Sequence, residues 1–596
     1  MWSIKCQRRR VPALRHLHYL IISSGKGRTM ETRRKLGIVA TVCVLAACLS
    51  PSATAKVVYV DDDATGANNG SSWANAFVHL QNALAVAQLG DEVWVAQGRY
   101  RPDQDARVAM AHGHAVEISP SGLPTVAFRL EYGVAIRGGF AGVLAQDPNV
   151  RSVGQYETIL SGDLKENDGS GWQPGSPAYE SLRDDNSLYV VESRVTDATA
   201  VLDGFTIEAA IQSGMHSVRG SPRVMNCTFR QNSARRLSGG ALLCEGGDPS
   251  LSNCVFRENS ATVAGGAIHV SAAHFTLAEC RFVTNQASSL GGAICSVDSV
   301  VSLTGCTFEQ NTAPRGGAVY HQQSSLVATN CRFAGNVADR EGGAISSESG
   351  VTTLERCALS GNLAWSGGAV HLSPGSSLKT DPKAYDATVT HCVFSGNRSP
   401  WGGALSSDHV ELMVINCTFA NNQTAPGTGG TSLAWWFGQP GDATYRLTVH
   451  NCILRDGARP IYSMPRGHGA PTGGEAQVVV EYSDVQGGWP GLGNIDADPC
   501  FVRPGSWFDS ANPGVIVGPL HQRATWAEGD YHLKSQAGSW DPAGQRWVRD
   551  AVTSPCIDAG DPATAAGDEP QPNGGRINMG AYGGTAEASK SFISKP

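Results

Sequence analysis

The chain is predicted to be all-β, a parallel β-helix with three short strands per coil and a small N-terminal helical cap. Three observations carry this expectation. Eight times between Cys227 and Asn422 a cysteine is followed five residues later by an asparagine, as in Cys254-Val-Phe256-Arg-Glu-Asn259 and Cys280-Arg-Phe282-Val-Thr-Asn285. Each of these asparagines is followed by a Gly-Gly pair that opens an apolar run, such as Gly265-Gly-Ala-Ile268. The cysteines recur every 25 to 27 residues, apart from two coils of 35, and a fixed period of that size marks stacked units that cannot bury a core alone.

In chain order, residues 1–55 read as an N-terminal extension and a secretory signal. Met30-Glu-Thr-Arg-Arg-Lys is a basic start, Leu36 to Leu49 an apolar run, and Ala53-Thr-Ala55 a small-residue cleavage site. Translation is expected to begin at Met30. Leu45-Ala-Ala-Cys48 resembles a bacterial lipobox, so secretion and lipid anchoring at Cys48 both stand as expectations. The apolar run is short for a membrane span.

Residues 56–125 form the N-terminal cap and first coil. Val57-Val-Tyr-Val60 is a strand, and Trp73 to Ala87 a helix with Phe77, Leu80, Leu84 and Ala87 on one face. Asp61, Asp62 and Asp63 read either as a solvated turn or as weak Ca²⁺ ligands at Asp61 and Asp63. Residues 126–221 are irregular coils, with the polar loop from Asp163 to Asn186 expected outside the solenoid.

Residues 222–457 are the regular coils. Cys and Phe at i and i+2 point the same way from a strand, so both face inward. The asparagine ends the strand in a turn, where its amide can bond the equivalent asparagine one coil on. The cysteine column runs from Cys227 through Cys452. Side chains on parallel neighbours lie side by side without the geometry of a disulfide, so these are expected to be buried free thiols. Cys500 and Cys556, outside the column, are the candidate pair. Residues 458–596 fade into C-terminal coils and a cap.

The Gly-Gly-Ala-Ile and Phe-x-x-Asn motifs resemble the repeats of the polymorphic outer membrane protein family. That resemblance implies a right-handed β-helix of the pectate-lyase-like type, exported to the cell surface. The opening strand and the stretches Ser554–Asp561 and Ile577–Gly584 resemble secreted bacterial β-helix proteins. No series of alternating ten-residue strands suggests a membrane barrel, a departure from the autotransporter-type members of that family.

Function is less legible, because this fold hosts enzymes and passive shafts alike. A net charge of -7 without a basic cluster in the repeats argues against nucleic acid. From Gly-Gly to the next cysteine the chain takes 14 residues in six repeats, but 24 after Gly368 and 22 after Gly430. The first insertion carries Lys379, Asp381, Lys383 and Tyr385, and the second Trp435 and Trp436. Together they form a candidate glycan-binding face, since sugar rings stack on aromatic planes while polar groups take the hydroxyls. The alternative is that the tryptophans fold their loop onto the solenoid. The leading functional reading is a non-catalytic adhesion or glycan-binding module on a polysaccharide or envelope surface. The other is a calcium-assisted polysaccharide lyase, with Arg315 and Arg340 as adjacent cations in one column beside Glu341. No acid recurs in a column to suggest a paired-carboxylate hydrolase. His269 and His371 share a column four coils apart, too far to form one site.

Overall fold

The computed structural model describes residues 55–592, apart from 105–106, 112–113, 118–123, 170–175, 375–385, 426–427, 438–444, 458, 466–477 and 519–522. Contacts divide the chain into residues 1–53 and 54–596, and only the second unit is described. The expected leader, the Met30 start and the Cys48 anchor lie outside the described residues.

One coil shows how the rest are built. Ser325–Thr329 runs on a first face and Arg332–Ala334 on a second. Val337–Glu341 follows the asparagine turn, and Ile345–Glu348 lies on a third face. Each strand pairs in parallel with its counterpart one coil away. The second face is a 13-stranded sheet among the described residues, from Gly98–Tyr100 to Asp484–Val485. The short strands between the asparagine and Gly-Gly form a 5-stranded sheet of their own, so the middle coils have four strands and not three.

Two corners per coil need a left-handed residue. Asn253 before Cys254 and Glu258 before Asn259 have φ of 50° and 55°, and the same positions recur as Asn330 and Gly335. The Gly-Gly turn has a different requirement. A Cβ on Gly266 would overlap the carbonyl oxygen of Gly292 in the next coil, so only glycine lets the coils close there.

In-register pairing puts like on like. Phe229, Phe256, Phe282, Phe308 and Phe333 are buried and stacked with ring centroids 4.7–5.0 Å apart. The asparagines form the expected ladder. Asn285 Nδ2–H donates to Asn311 Oδ1 (3.0 Å) and to Phe256 O (2.9 Å), and Asn311 Oδ1 also accepts the Asn285 amide (2.9 Å). This continues to Asn422, whose amide and side chain both donate to Asp456. The column cysteines are all free and buried. Their thiols donate to carbonyls two residues back, as Cys254 does to Ser252 O at 3.3 Å.

At the N-terminal end the helix spans Leu80–Val86, shorter than expected, and buries Leu80 and Ala83. The outer edge of Val57–Val60 is covered by its own loop. The Tyr59 amide donates to Gly70 O, and the Phe77 amide to Tyr59 O. An edge so paired offers no row of free backbone groups.

Two expectations change. The described parts of the 163–186 segment pack against the coils: Arg183 inserts fully buried and donates to Ala210 O and Gln231 O while pairing with Asp168. Ala210 O also accepts the Ser233 amide at 2.9 Å, so Arg183 adds a second donor there. Cys500 and Cys556 are not paired. Both are free, and Cys556 is buried against Asp484 Oδ2 at 3.6 Å. After the last coil the chain turns back over the second face: Arg332 pairs with Glu528 at 3.1 Å, and the Ala581 amide donates to Thr418 Oγ1 at 3.0 Å.

Phe308→Ala should cost about 3–5 kcal/mol of unfolding free energy, since it removes a fully buried ring stacked on both sides. Denaturant titration checks this, and a loss under about 1 kcal/mol would contradict the stacked core. Asp456 gives a pH-dependent prediction. Burial pushes its carboxyl up to about 6, against the lowering effect of hydrogen bonds from Asn422 and Ser432. The folded chain therefore holds a proton that the unfolded chain releases near pH 4, and stability from this group is lost as pH rises through 6. Asp456→Asn keeps an acceptor for the ladder and removes the charge. Relative to the parent, it should gain about 2–3 kcal/mol between pH 4 and pH 7. A parallel pair of stability curves would rule this out. The comparison must be relative, because buried His321, its pKa lowered to about 4 by burial, acts in the opposite direction over the same window.

Candidate functional site

Alternation along the third-face strands sorts their side chains. In Ile345–Glu348, Ile345 and Ser347 point inward, while Ser346 and Glu348 point outward. Parallel register then builds two outward columns. One is Tyr320, Ser346, His371, Ser406 and Ala434, and the other includes Glu348 and Ser373, then Asp408 and Trp436. A third column stands just before Gly-Gly: Arg315, Glu341, Ser366 and Trp401. Between these columns lies a cleft of about 720 Å³, with Trp365 and Arg340 on its rim.

One end of the cleft is ionic. Arg315 Nε lies 3.3 Å from Glu341 Oε2, and its Nη1 lies 3.3 Å from Glu348 Oε2. The Tyr320 hydroxyl donates to Glu348 Oε2 at 2.7 Å. Burial and this carboxylate push the Tyr320 pKa upward, so the phenol stays a donor. His371 Nε2 lies 4.0 Å from Glu341 Oε2, and its Nδ1 lies 2.7 Å from Ser406 Oγ. The other end is aromatic. Trp401 and Trp436 meet edge to face at 6.1 Å, Tyr462 lies 6.3 Å from Trp401, and Trp365 is 62 % exposed. Asp408 in this wall is paired with His409 at 2.5 Å.

The structure redistributes the residues singled out in the sequence. Arg315 and Arg340 do line one cleft, but they are not neighbours in a column. Each column position is counted back from Gly-Gly, which sets Arg315 opposite Glu341 and leaves Arg340 one residue earlier, exposed. Trp435 and Trp436 do not belong to an insertion loop. Leu433–Phe437 is a strand paired on both sides. Trp435 therefore points inward, fully buried, with its indole N–H donating to Val410 O at 3.2 Å, and offers no surface to a ligand. Trp436, one residue on, faces the cleft. Lys379, Asp381, Lys383 and Tyr385 lie outside the described residues.

Tyr320, Glu348, Trp365, Trp401 and Asp408 escaped the sequence reading. Part of the signal was present: counted from Gly-Gly, Glu348 and Asp408 fall at one offset, and Trp436 falls one residue further because its coil carries an extra residue before Leu433. Glu341 and Glu348 flank the Gly-Gly turn of one coil and so recur in no column of neighbouring coils. At the other end of the solenoid, carboxylate oxygens of Asp61, Asp62 and Asp63 come within 4.8 Å of one another. Asp61 is committed there, accepting the amides of Asp63 (3.0 Å) and Val143 (2.6 Å), and burial raises its pKa. That cluster is about seven coils, roughly 34 Å, from Arg315 and takes no part in the cleft.

A family model described as "Right handed beta helix region" matches residues 184–337 and 316–498, together more than half the chain. The chain belongs to the right-handed β-helix family. A second family, "Disaggregatase related", matches residues 510–560 of this β-helix protein, within the segment that folds back over the second face. Comparison with curated proteins returns no match. Among solved structures the β-helix chain is similar to pectate lyase Pel9A, at 12% identity over 88% of this chain and 96% of that one, with a TM-score of 0.32. A rhamnogalacturonan lyase is similar at 13% identity over 63% and 83%, TM-score 0.25. The catalytic unit of an α-1,3-glucanase from Streptomyces thermodiastaticus shares 12% identity over 70% and 65%, TM-score 0.22. At these values no activity passes from them to this β-helix protein.

The two adjacent tryptophans should separate cleanly in a stability assay. Trp435→Ala is expected to lose about 3–5 kcal/mol as a fully buried side chain, and Trp436→Ala under about 1 kcal/mol. Equal losses would contradict the inward–outward assignment.

Proposed function

We propose that this protein is an exported glycan-binding module and that the third-face cleft is its contact surface. The observation that carries the reading is the convergence of Trp365, Trp401 and Trp436 with paired polar side chains on one open groove. Aromatic faces beside hydrogen-bonding groups suit sugar rings, whose apolar faces stack while their hydroxyls seek donors and acceptors. Export rests on the Met30–Ala55 leader read from the sequence, and the partner is a polysaccharide or a cell envelope that carries one.

The geometry favours binding over β-elimination. A lyase needs a cation to neutralise the substrate carboxylate and a base beside the acidic carbon. Arg315 is instead held between two carboxylates, Arg340 stands out on the rim, and Glu341, Glu348 and Asp408 would face an incoming uronate. Calcium, the cofactor such a reaction would use, has no role in the binding reading.

A panel of soluble and insoluble polysaccharides, with and without Ca²⁺, tests this when binding and new chain ends are scored together. Retention on at least one polymer without new ends is expected, weakened by Trp436→Ala. Accumulation of unsaturated uronate products would replace the binding reading with the lyase. New reducing ends without unsaturation would instead point to hydrolysis by Glu341 and Glu348.

A further inference from the structure

The cleft also has a direction and a charge balance, and both bear on what it takes. Its walls are columns, so they run along the solenoid axis. From the coil of Tyr320 to that of Trp436 is four steps, about 19 Å. Across the axis, the column ending at Trp401 and the column ending at Trp436 close the groove on its two sides. An extended ligand therefore fits lengthwise. One coil is about as high as one sugar unit of an extended polysaccharide is long, so successive sugars would meet successive coils.

The charges of the lining nearly balance: Glu341, Glu348 and Asp408 stand against Arg315 and the exposed Arg340. Arg315 is shared by Glu341 and Glu348, and Asp408 is paired with His409. A paired carboxylate still accepts hydrogen bonds from hydroxyls, but it has little left for a cation and repels an anion. From this geometry, and resting on the glycan-binding reading above, we infer that the cleft takes an uncharged polysaccharide threaded along the axis, about one sugar per coil over about four coils. Its rings pack on Trp401 and Trp436 at one end, and its hydroxyls meet the Tyr320–Glu348–Arg315–Glu341 cluster at the other.

Calorimetry of the full-length protein against oligosaccharide ladders tests this. Cello-, laminari-, xylo- and malto-series, from disaccharide to octasaccharide, supply uncharged chains. Oligogalacturonides and chitosan oligomers supply acidic and basic ones. In at least one uncharged series, affinity should climb with length and level off near about four units. Trp401→Ala and the exposed Trp365→Ala should each weaken binding of the longer chains by about tenfold, with melting temperature checked for each variant. Affinity that stops growing at a disaccharide, or a charged series that binds tighter than every uncharged one, would overturn the lengthwise uncharged chain while leaving a glycan-binding cleft in place. Silence in every ladder would overturn both.

Discussion

Every feature of this molecule depends on coils stacking in strict register. A β-strand offers its partner a backbone of fixed spacing, so a residue can form a column only if its counterpart arrives at the same height. The asparagine ladder enforces that. Each ladder asparagine's side-chain amide bonds both the next rung of the ladder and an inward-strand carbonyl of the preceding coil, as Asn285 does with Asn311 and Phe256, and a slip by one residue would leave buried donors without acceptors. Stacked phenylalanines and free thiols fill the space the ladder defines. Burial raises the thiol pKa of Cys392 and Cys417, which keeps those two thiols neutral.

Register also makes the cleft. The repeat leaves the outward third-face positions unspecified. Where the coils around 315–436 place acids, arginine and tryptophan at those positions, parallel pairing gathers them without any special loop. A site of this kind is assembled from side chains on a rigid scaffold, so its parts are held before a ligand arrives. Arg315 between two carboxylates illustrates such pre-organisation: its guanidinium is fixed from two sides and cannot swing toward solvent without leaving both acids unpaired.

The coils, their inward Cys–Phe faces and the asparagine ladder could be read from the sequence because they repeat, and repetition exposes spacing. The site could not, because it is built from what varies between repeats. Trp435 and Trp436 show the difference. Composition alone makes both look like a surface pair, and only the parity set by Leu433 sends one into the core and the other out. Arg315 and Arg340 failed by a single residue of column counting. The packing of Arg183 lay beyond any repeat, since it depends on backbone carbonyls distant in sequence.

The segment that returns over the second face reaches far back along the chain. Arg332 and Glu528 are separated by 196 residues, and Ser360 and Glu528 by 168, whereas neighbouring coils meet across about 26. Coil-on-coil contacts are thus available as soon as two turns of chain exist, and growth from the capped N-terminal end needs no distant partner. The clasp waits for the last part of the polypeptide. A chain that emerges N-terminus first can stack its coils progressively, yet the Arg332–Ser360 stretch of its second face stays uncovered until the residues around Glu528 have been made. Truncation near residue 500 would leave the solenoid intact in outline and strip the flank that the final hundred residues shield.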